Sequence, residues 1–291
     1  MNHNSFPSST EAPDVSNVIK PAYPEALDHL PTTSPDTNCS FYLRELVHTN
    51  KMGEVKDFLI DTTSREFHEF TDPIDLDAFS TAYGELLDQT LSAEDAHALL
   101  RYTGFDYRAI NQVARGIWEY DTIGKRTPER EAEIRQAITA INTVIFDAPS
   151  PGVDFIAHRG TNLDGFRDYK ISSLDELKNL EGQFYLERGF TSTSLSPNHS
   201  FAHREFDDPL RKPCDISITY HIPREAEETV GLLSSKVAYN PKQYELLIDQ
   251  YALFYVSNAD VTDDQTSAHL EMTLIPRSLY DQYYAQKSPE Q

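Results

Sequence analysis

The hydrophobic period of the sequence changes once, at Pro149-Ser150-Pro151. Before this point the apolar residues recur at helical spacing, as they do in a helix that buries one face. After it, segments such as residues 216–222 alternate apolar and polar residues at period two, which is typical of half-buried strands. Because the helices precede the strands instead of alternating with them, we predict an α+β domain.

The helical part contains two recognisable helix starts. Ser92-Ala93-Glu94-Asp95 resembles a capping box, and Thr127-Pro128 places an N-cap before a proline at the first helical position. We expect Thr103-Gly104 to end the first of these helices and Asp106 to cap the next one. The predicted buried positions on the later helices are Ile110, Val113, Ala114, Ile117, Ile134, Ile138, Ile141 and Ile145.

The β part contains seven candidate strands, recognised by β-branched and aromatic content and by turn residues at their ends. They cover residues 153–158, 189–194, 216–222, 229–234, 244–251, 252–256 and 270–275. The sequence contains neither a GxGxxG string nor a P-loop string. A Rossmann fold or a nucleoside-triphosphate site is therefore not expected.

The charge balance limits the classes of partner. With 47 acidic residues against 25 Lys and Arg, the formal net charge is −22. Nucleic acids and anionic membrane surfaces bind basic patches, so neither is an expected partner. The acidic surface favours a basic protein partner, or it serves only solubility. The two cysteines, Cys39 and Cys214, are too few and too far apart for a disulfide framework or a metal site, and we expect no metal.

Three short strings follow one another in a fixed order, each on or at the end of a predicted strand. They are His158-Arg159-Gly160, Ser192-Thr193-Ser194 and Gln243-Tyr244-Glu245. Together they supply a cation, a hydroxyl and a carboxylate, which suit the binding of a dinucleotide pyrophosphate and the cleavage of an N-glycosidic bond. Each string alone would more often be an ordinary strand or surface feature, so the order carries the prediction.

Each string has a chemical reason for its composition. Arg159, at the predicted end of a strand, presents a planar fork to phosphate oxygens, and Gly160 lets a flat ligand approach the backbone. Ser192 lies on a strand, where its hydroxyl can fix a neighbouring carboxylate. Glu245 lies two residues after Gln243, so an extended strand start would place both on one face. Its carboxylate would stabilise an oxocarbenium ion as the glycosidic bond breaks.

These strings resemble the signature of the ADP-ribosyltransferase exoenzyme family, in the branch with Arg, Ser-Thr-Ser and (Glu or Gln)-x-Glu motifs. Residues 91–116 are similar to the family's helical segment before the Arg strand, and the resemblance covers residues 80–256. It implies a helical segment packed on a mainly antiparallel, two-sheet β core. It also implies NAD as the substrate.

The resemblance assigns the NAD contacts. Arg159 would hold the phosphates, and Gly160 would offer backbone contacts to the nicotinamide amide. Asn111 and Arg115, one helical turn apart, would touch the adenosine and pyrophosphate side. A loop at residues 196–212 would close over the ligand, and its candidate contacts are Arg204, Phe201 and Phe206.

The resemblance also assigns catalysis and the choice of target. Ser192 would orient Glu245, which would hydrogen-bond the ribose 2′-hydroxyl and stabilise the cation that forms as nicotinamide leaves. Family members that modify arginine carry Glu at the position of Gln243. A neutral amide cannot deprotonate a guanidinium but can hydrogen-bond an amide or hydroxyl, so Gln243 favours Asn, Gln, Thr or Ser as the acceptor. Tyr239 would touch the target protein, or it packs on its own domain.

The same resemblance organises the chain. Residues 41–291 would form a single ADP-ribosyltransferase domain, with a helical part at 41–150 and a β core at 151–280. Residues 1–40 are rich in Ser, Thr, Pro and Asn, and we expect a disordered leader there. It is either a tail without a role or a secretion signal of the kind that injected bacterial effectors carry.

We therefore predict a mono-ADP-ribosyltransferase, secreted or injected as a bacterial toxin or effector and active in the host cytosol. Its target would be a host protein such as a small GTPase, actin or ubiquitin, and the enzyme would be a monomer. Two alternatives stay open. One is an NAD glycohydrolase with water as the acceptor, and the other is a non-enzymatic binding module on the same fold.

Overall fold

The structure is a computed structural model that describes residues 18–19, 43–44, 46–49, 51–118, 125–199 and 214–280. The α-helices described are α1 (Met52–Ser64), α2 (Pro73–Thr90), α3 (Ala93–Arg101), α4 (Tyr107–Ala114) and α5 (Pro128–Phe146). The strands described are β1 (Val18–Ile19), β2 (Phe67–His68), β3 (Phe155–Thr161), β4 (Phe184–Glu187), β5 (Thr191–Ser194), β6 (Ile216–Ile222), β7 (Val230–Leu232), β8 (Glu245–Ile248), β9 (Ala252–Val261) and β10 (Ala268–Leu274). Within these residues no helix combines the length and the apolar character that crossing a membrane requires.

Side-chain caps explain where the helices begin. The capping box at Ser92 is confirmed: its hydroxyl accepts from the N–H of Asp95 at 3.1 Å, and the Asp95 carboxylate accepts from the N–H of Ser92. The predicted start at Thr127 is also confirmed, since its hydroxyl accepts from the N–H of Arg130 at 3.2 Å. Each such cap contributes about 1 kcal/mol to stability.

The connection between α3 and α4 differs from the expectation. The helical conformation does not stop at Thr103-Gly104 as predicted. Residues Tyr102–Asp106 form a π-helical turn that follows α3 and continues directly into α4. Asp106 makes no side-chain cap. Its carboxylate accepts instead from Arg101 at 2.5 Å and from Arg130 at 3.2 Å. Because the carboxylate of Asp106 is hydrogen-bonded to these two arginines, it does not accept from the backbone N–H groups at the start of α4.

The strands form one hydrogen-bonded order, β4-β9-β10-β6-β3-β5-β8-β7, and β2 and β1 branch from β3. Only the β6–β10 and β2–β3 pairs are parallel among the described strands, so the predicted α+β class with a mainly antiparallel core is confirmed. β3 meets β5 at a single residue pair, His158 with Ser194. That one pair divides the order into a half that contains β3 and a half that contains β5 and β8.

Two strand boundaries that bear on the site differ from the prediction. β3 continues through Arg159 to Thr161, so the arginine lies inside a strand and not at its end. β8 begins at Glu245, because Pro241–Gln243 form a 3-10 turn and Tyr244 has left-handed backbone angles (φ 47°, ψ 52°). The expectation that an extended strand start holds Gln243 and Glu245 on one face is therefore wrong. Proline at the first position of the turn suits this bend.

The core lies between the helices and the sheet. The predicted face of α5 is buried, with Ile134, Ile141 and Ile145 fully inside. β7 lies directly against the end of α5, since a Cβ at Gly231 would be in van der Waals contact with Ile145, 3.7 Å away. Burying one such isoleucine contributes about 1.5–3 kcal/mol. A second apolar cluster under α1 covers the opposite face of β4 and β9.

The expected leader is described only at β1. Val18 and Ile19 pair antiparallel with Phe67 and His68 of β2. The other residues of 1–40 lie outside the described residues, and so does Cys39. The disorder of the leader and its role in secretion stay predictions.

Candidate active site

Arg159 of β3 supplies a cation in the middle of the sheet. It is partly exposed, and its guanidinium makes no hydrogen bond or ion pair with any described residue. Burial raises the pKa of Tyr102, Tyr185 and Tyr220, and the charge of Arg159 opposes that rise in all three. The guanidinium therefore lies among three buried phenol groups, available for an anionic ligand.

Ser192 and Glu245 meet across the β5–β8 ladder. Ser194 is the register partner of Glu245, so Ser192, two residues earlier, shares its face. The Ser192 hydroxyl donates to Glu245 Oε1 at 2.6 Å. Burial raises the pKa of Glu245, whose exposed fraction is 8%, and the hydrogen bond from Ser192 lowers it. The structure thus brings a buried carboxylate together with the hydroxyl that favours its charged form.

The rest of the Ser-Thr-Ser string holds the neighbouring backbone. Thr193 Oγ1 donates to the carbonyl of Leu246 at 2.9 Å. Ser194 Oγ donates to the carbonyl of Gln243 at 2.7 Å. Gln243 is half-buried, and its side-chain amide makes no hydrogen bond with any described residue. Ser194 therefore fixes the backbone of Gln243, which lies outside the strand and two residues before Glu245.

Asn111 and Arg115 lie one turn apart at the end of α4 and face the β4–β5 connection. Asn111 Oδ1 accepts from the N–H of Phe190 at 2.7 Å. Arg115 pairs with Glu187, with Nη2 2.9 Å from Oε1. Burial acts to lower the pKa of Arg115, but the charge of Glu187 raises it above the ordinary value. Both side chains are thus held in place by the protein itself.

Gly189 leaves room for two side chains of the α4 end where that helix approaches this connection. A Cβ at position 189 would lie 2.9 Å from Asn111 Oδ1 and 3.1 Å from Arg115 Nε. The N–H of Gly189 donates to Glu187 Oε1 at 2.8 Å, and the Tyr185 hydroxyl donates to Oε2 at 3.3 Å. Glu187 was not among the predicted site residues. The only sequence signal for it is an acidic residue within an apolar run, which does not say which cation it meets.

Tyr102 connects the predicted residues in space. Its hydroxyl accepts from Asn111 Nδ2 at 3.2 Å. Burial is the main cause of its raised pKa, the charge of Glu245 adds to the rise, and Arg159 and Arg115 oppose it. One buried hydroxyl therefore lies within electrostatic reach of residues from α4, β3 and β8. The structure brings Arg159, Ser192, Glu245, Asn111 and Arg115 to one site.

The remaining predicted residues are placed as follows. Gly160 lies in β3 opposite Ser217 of β6. Tyr239 is 66% exposed, in the loop of residues 233–244 that leads to Gln243. Arg204, Phe201 and Phe206 lie outside the described residues. His158 Nε2 lies 3.0 Å from Glu69 Oε1.

The described residues contain no group of three or more His, Cys, Asp or Glu side chains that could hold a metal ion. What the site does contain is a cation without a hydrogen-bond partner among the described residues, and a buried carboxylate with a hydroxyl donor. Such a pair suits an enzyme that binds an anionic substrate and stabilises a positive charge developing beside it. These features suit an enzyme of glycosyl transfer.

Comparison with known families identifies the class more closely. The family described as ADP-ribosyltransferase exoenzyme matches residues 77–276, which is more than half of the chain. The chain belongs to this family of mono-ADP-ribosyltransferase toxins, which are NAD-dependent enzymes. Comparison with curated proteins returned no match.

Solved structures agree on the fold. The C3 exoenzyme of Clostridium limosum is 17% identical, with a TM-score of 0.54, and the match covers 73% of this chain and 98% of that one. C3stau2 from S. aureus, solved with NAD, is 19% identical with a TM-score of 0.53, covering 73% and 100%. The toxin BECa of C. perfringens, solved with NADH, is 18% identical with a TM-score of 0.56, covering 72% and 50%.

Proposed function

We propose that the protein transfers ADP-ribose from NAD to an Asn, Gln, Thr or Ser side chain of a host protein. The side chain of Gln243 carries this proposal, since it is a neutral amide two residues before the buried Glu245, on a backbone that Ser194 holds. Recognition and deprotonation of a guanidinium call for a second carboxylate, and the position offers none. An amide instead forms hydrogen bonds with an amide or hydroxyl acceptor.

Binding of NAD is assigned to the two cations and the glycine. Arg159, without a partner among the described residues, binds the pyrophosphate. Arg115 is oriented by Glu187 and, with Asn111, serves the adenosine side. Gly160 leaves its backbone open to the nicotinamide amide. NAD bound to C3stau2 in a solved structure supports the choice of ligand.

Glu245 and Gln243 divide the chemistry. The Glu245 carboxylate, oriented by Ser192, hydrogen-bonds the ribose 2′-hydroxyl and stabilises the positive charge as the bond between C1′ and the nicotinamide nitrogen breaks. The electron pair of that bond leaves with nicotinamide. The acceptor nitrogen or oxygen, positioned by Gln243, then forms the new bond to C1′ and releases its proton to solvent. Positioning and charge stabilisation supply most of the rate.

The target and the place of action complete the proposal. The family consists of exoenzymes, and we infer that this chain is secreted or injected and acts in the host cytosol, with residues 1–40 as its leader. A small GTPase, actin or ubiquitin is a candidate target, and the net charge of −22 favours a target with a basic face. The enzyme acts as a monomer.

The test uses labelled NAD with host cytosol and, separately, with a purified Rho-type GTPase, actin and ubiquitin. We expect label on a protein, and mass spectrometry should locate it on Asn, Gln, Thr or Ser. Glu245→Gln is the matched control and should give none. Release of free ADP-ribose without labelled protein would identify an NAD glycohydrolase instead. If neither labelled protein nor free ADP-ribose forms, only the binding-module alternative remains. Label on arginine would contradict the role of Gln243.

A further inference from the structure

Phe105 is exposed in a way that neither the core nor the chemistry explains. It lies in the π-helical turn Tyr102–Asp106, and 89% of its surface is accessible. Turns of this kind occur frequently at functional sites. Tyr102 of the same turn points inward to the site, so the turn presents one aromatic ring to the catalytic carboxylate and another to solvent.

The ring of Phe105 meets the ring of Tyr239. Their centroids are 5.9 Å apart and the planes cross at 63°, an edge-to-face arrangement. Tyr239 is itself 66% exposed, so the pair leaves most of both rings open. Two further apolar side chains flank the turn, Leu100 and Tyr107, with exposed fractions of 42% and 43%. Clustered exposed apolar residues mark interaction sites more often than isolated ones do.

Thr103 fixes the two rings relative to one another. Its hydroxyl accepts from the N–H of Tyr239 at 3.0 Å and donates to the carbonyl of Val237 at 3.1 Å. Position 104 is glycine, and a Cβ there would lie only 3.8 Å from Tyr239 Cδ2. The π-helical turn and the 233–244 loop are therefore joined as one surface. A surface that is already ordered loses less conformational entropy when a partner binds.

The location of this surface indicates its occupant. Tyr239 precedes Gln243 by four residues, so a protein whose side chain reaches Gln243 and Glu245 must lie across the loop that carries Tyr239. The chain's net charge of −22 favours a partner with a basic face. Aromatic rings receive aliphatic side chains and, through their faces, cationic ones.

We propose that Phe105 is a specificity-determining residue, which forms with Tyr239 a two-ring surface that docks the protein substrate. The docked face of the target presents an apolar side chain within a basic surround. This inference rests on the proposed transfer to a host protein and adds a contact from the helical segment, outside the family's catalytic motifs.

The test measures protein modification and NAD hydrolysis in parallel, with the full-length protein and the protein substrate that the wild type labels. Phe105→Ala should raise the KM for that substrate about tenfold, because truncating an exposed aromatic anchor weakens docking. Its NAD hydrolysis should stay within about twofold of the wild type, since the ring of Phe105 packs on Tyr239, which is not assigned to NAD. Phe105→Tyr, which keeps the ring, should restore transfer. Higher ionic strength should raise the wild-type KM for the substrate.

Phe146→Ala is the matched control, because Phe146 is an exposed phenylalanine (60%) at the end of α5. It should leave both reactions unchanged. Equal transfer by Phe105→Ala and the wild type would overturn the proposal while the proposed function stands. Loss of transfer and hydrolysis together would also overturn it, as would a self-association of the wild type that Phe105→Ala abolishes without affecting transfer. If the wild type labels no protein, the proposed function fails first.

Discussion

The strand pair that holds Ser192 and Glu245 and the loop of residues 233–244 differ in how they are held. The first is fixed by a β-ladder and buried, with the two side chains 2.6 Å apart. The second is largely outside the sheet and carries the exposed ring of Tyr239. Its position depends on side chains from elsewhere in the chain. Under the proposed function, charge stabilisation would lie on rigid backbone, and recognition of the acceptor would lie on a surface that can vary without disturbing the sheet.

The anchors of the loop come mainly from the helical segment. Asp88 of α2 accepts from Ser234 at 2.7 Å and pairs with Lys236 at 2.7 Å. Asp77 of the same helix accepts from the Tyr244 hydroxyl. With Thr103 and Ser194, these contacts fasten the loop along its length. The helical segment therefore does more than cover the sheet, because it also anchors the loop that carries Tyr239 and Gln243.

The largest effect should follow from Glu245→Gln, which keeps the shape but removes the charge. We expect both transfer and NAD hydrolysis to fall about 10³-fold, because both reactions pass through the same positive charge at C1′. Labelled NAD with separation of nicotinamide and modified protein measures the two rates. An unchanged hydrolysis rate would show that the strand pair does not stabilise the departing bond.

Gln243→Ala should separate the two regions. We expect transfer to the protein substrate to fall about 100-fold, because the acceptor loses its hydrogen-bond partner, while NAD hydrolysis continues within about fivefold of the wild type. The same labelled-NAD measurement gives both rates. Equal loss of both reactions would mean that Gln243 contributes to cleavage of NAD together with Glu245, and not to recognition of the acceptor.

Ser192→Ala should act through the pKa of Glu245. The hydrogen bond from Ser192 lowers this pKa against burial, so its removal raises the pKa further. Because the carboxylate form is the active one, the acidic limb of the kcat/KM profile should move to higher pH, and the rate at neutral pH should fall about tenfold. A pH profile of NAD hydrolysis checks this. A limb that stays in place, or moves to lower pH, would contradict the coupling.

Tyr244→Phe should have the smallest effect. It removes the hydroxyl that donates to Asp77 and so loosens the turn between Gln243 and Glu245. We expect transfer to fall about fivefold, NAD hydrolysis to change less than twofold, and the free energy of unfolding to drop by about 1–2 kcal/mol. Tyr280→Phe is the control, since its hydroxyl donates to the carbonyl of Tyr251, outside the loop of residues 233–244. If NAD hydrolysis fell as much as transfer, Tyr244 would instead support the strand pair that holds Ser192 and Glu245.

Much of the fold was predictable from local sequence signals. Ser92 and Thr127 mark helix starts by hydroxyl caps, and the isoleucines of α5 mark its buried face, because both signals act within a few residues. The meeting of Ser192 with Glu245 follows from the alternation of side chains along strands, once the two strands pair. These features depend on chemistry that a single segment already contains.

What the sequence did not reveal depends on contacts between distant segments. The turn at Pro241–Gln243 is set partly by the bond from Tyr244 to Asp77, 167 positions away. Asp106 does not cap α4, because its carboxylate accepts a hydrogen bond from Arg130 of another helix. Glu187 and Phe105 gave no usable signal, since one is an acidic residue in an apolar run and the other a lone aromatic. Their partners become apparent only in three dimensions.

The most direct test of the division between strand pair and loop is the ratio of protein modification to NAD hydrolysis. It should be measured side by side for the wild type, Ser192→Ala and Gln243→Ala. We predict that Ser192→Ala lowers both rates and leaves the ratio near the wild-type value, whereas Gln243→Ala lowers the ratio by more than about tenfold. The same change of ratio in both variants would contradict the division.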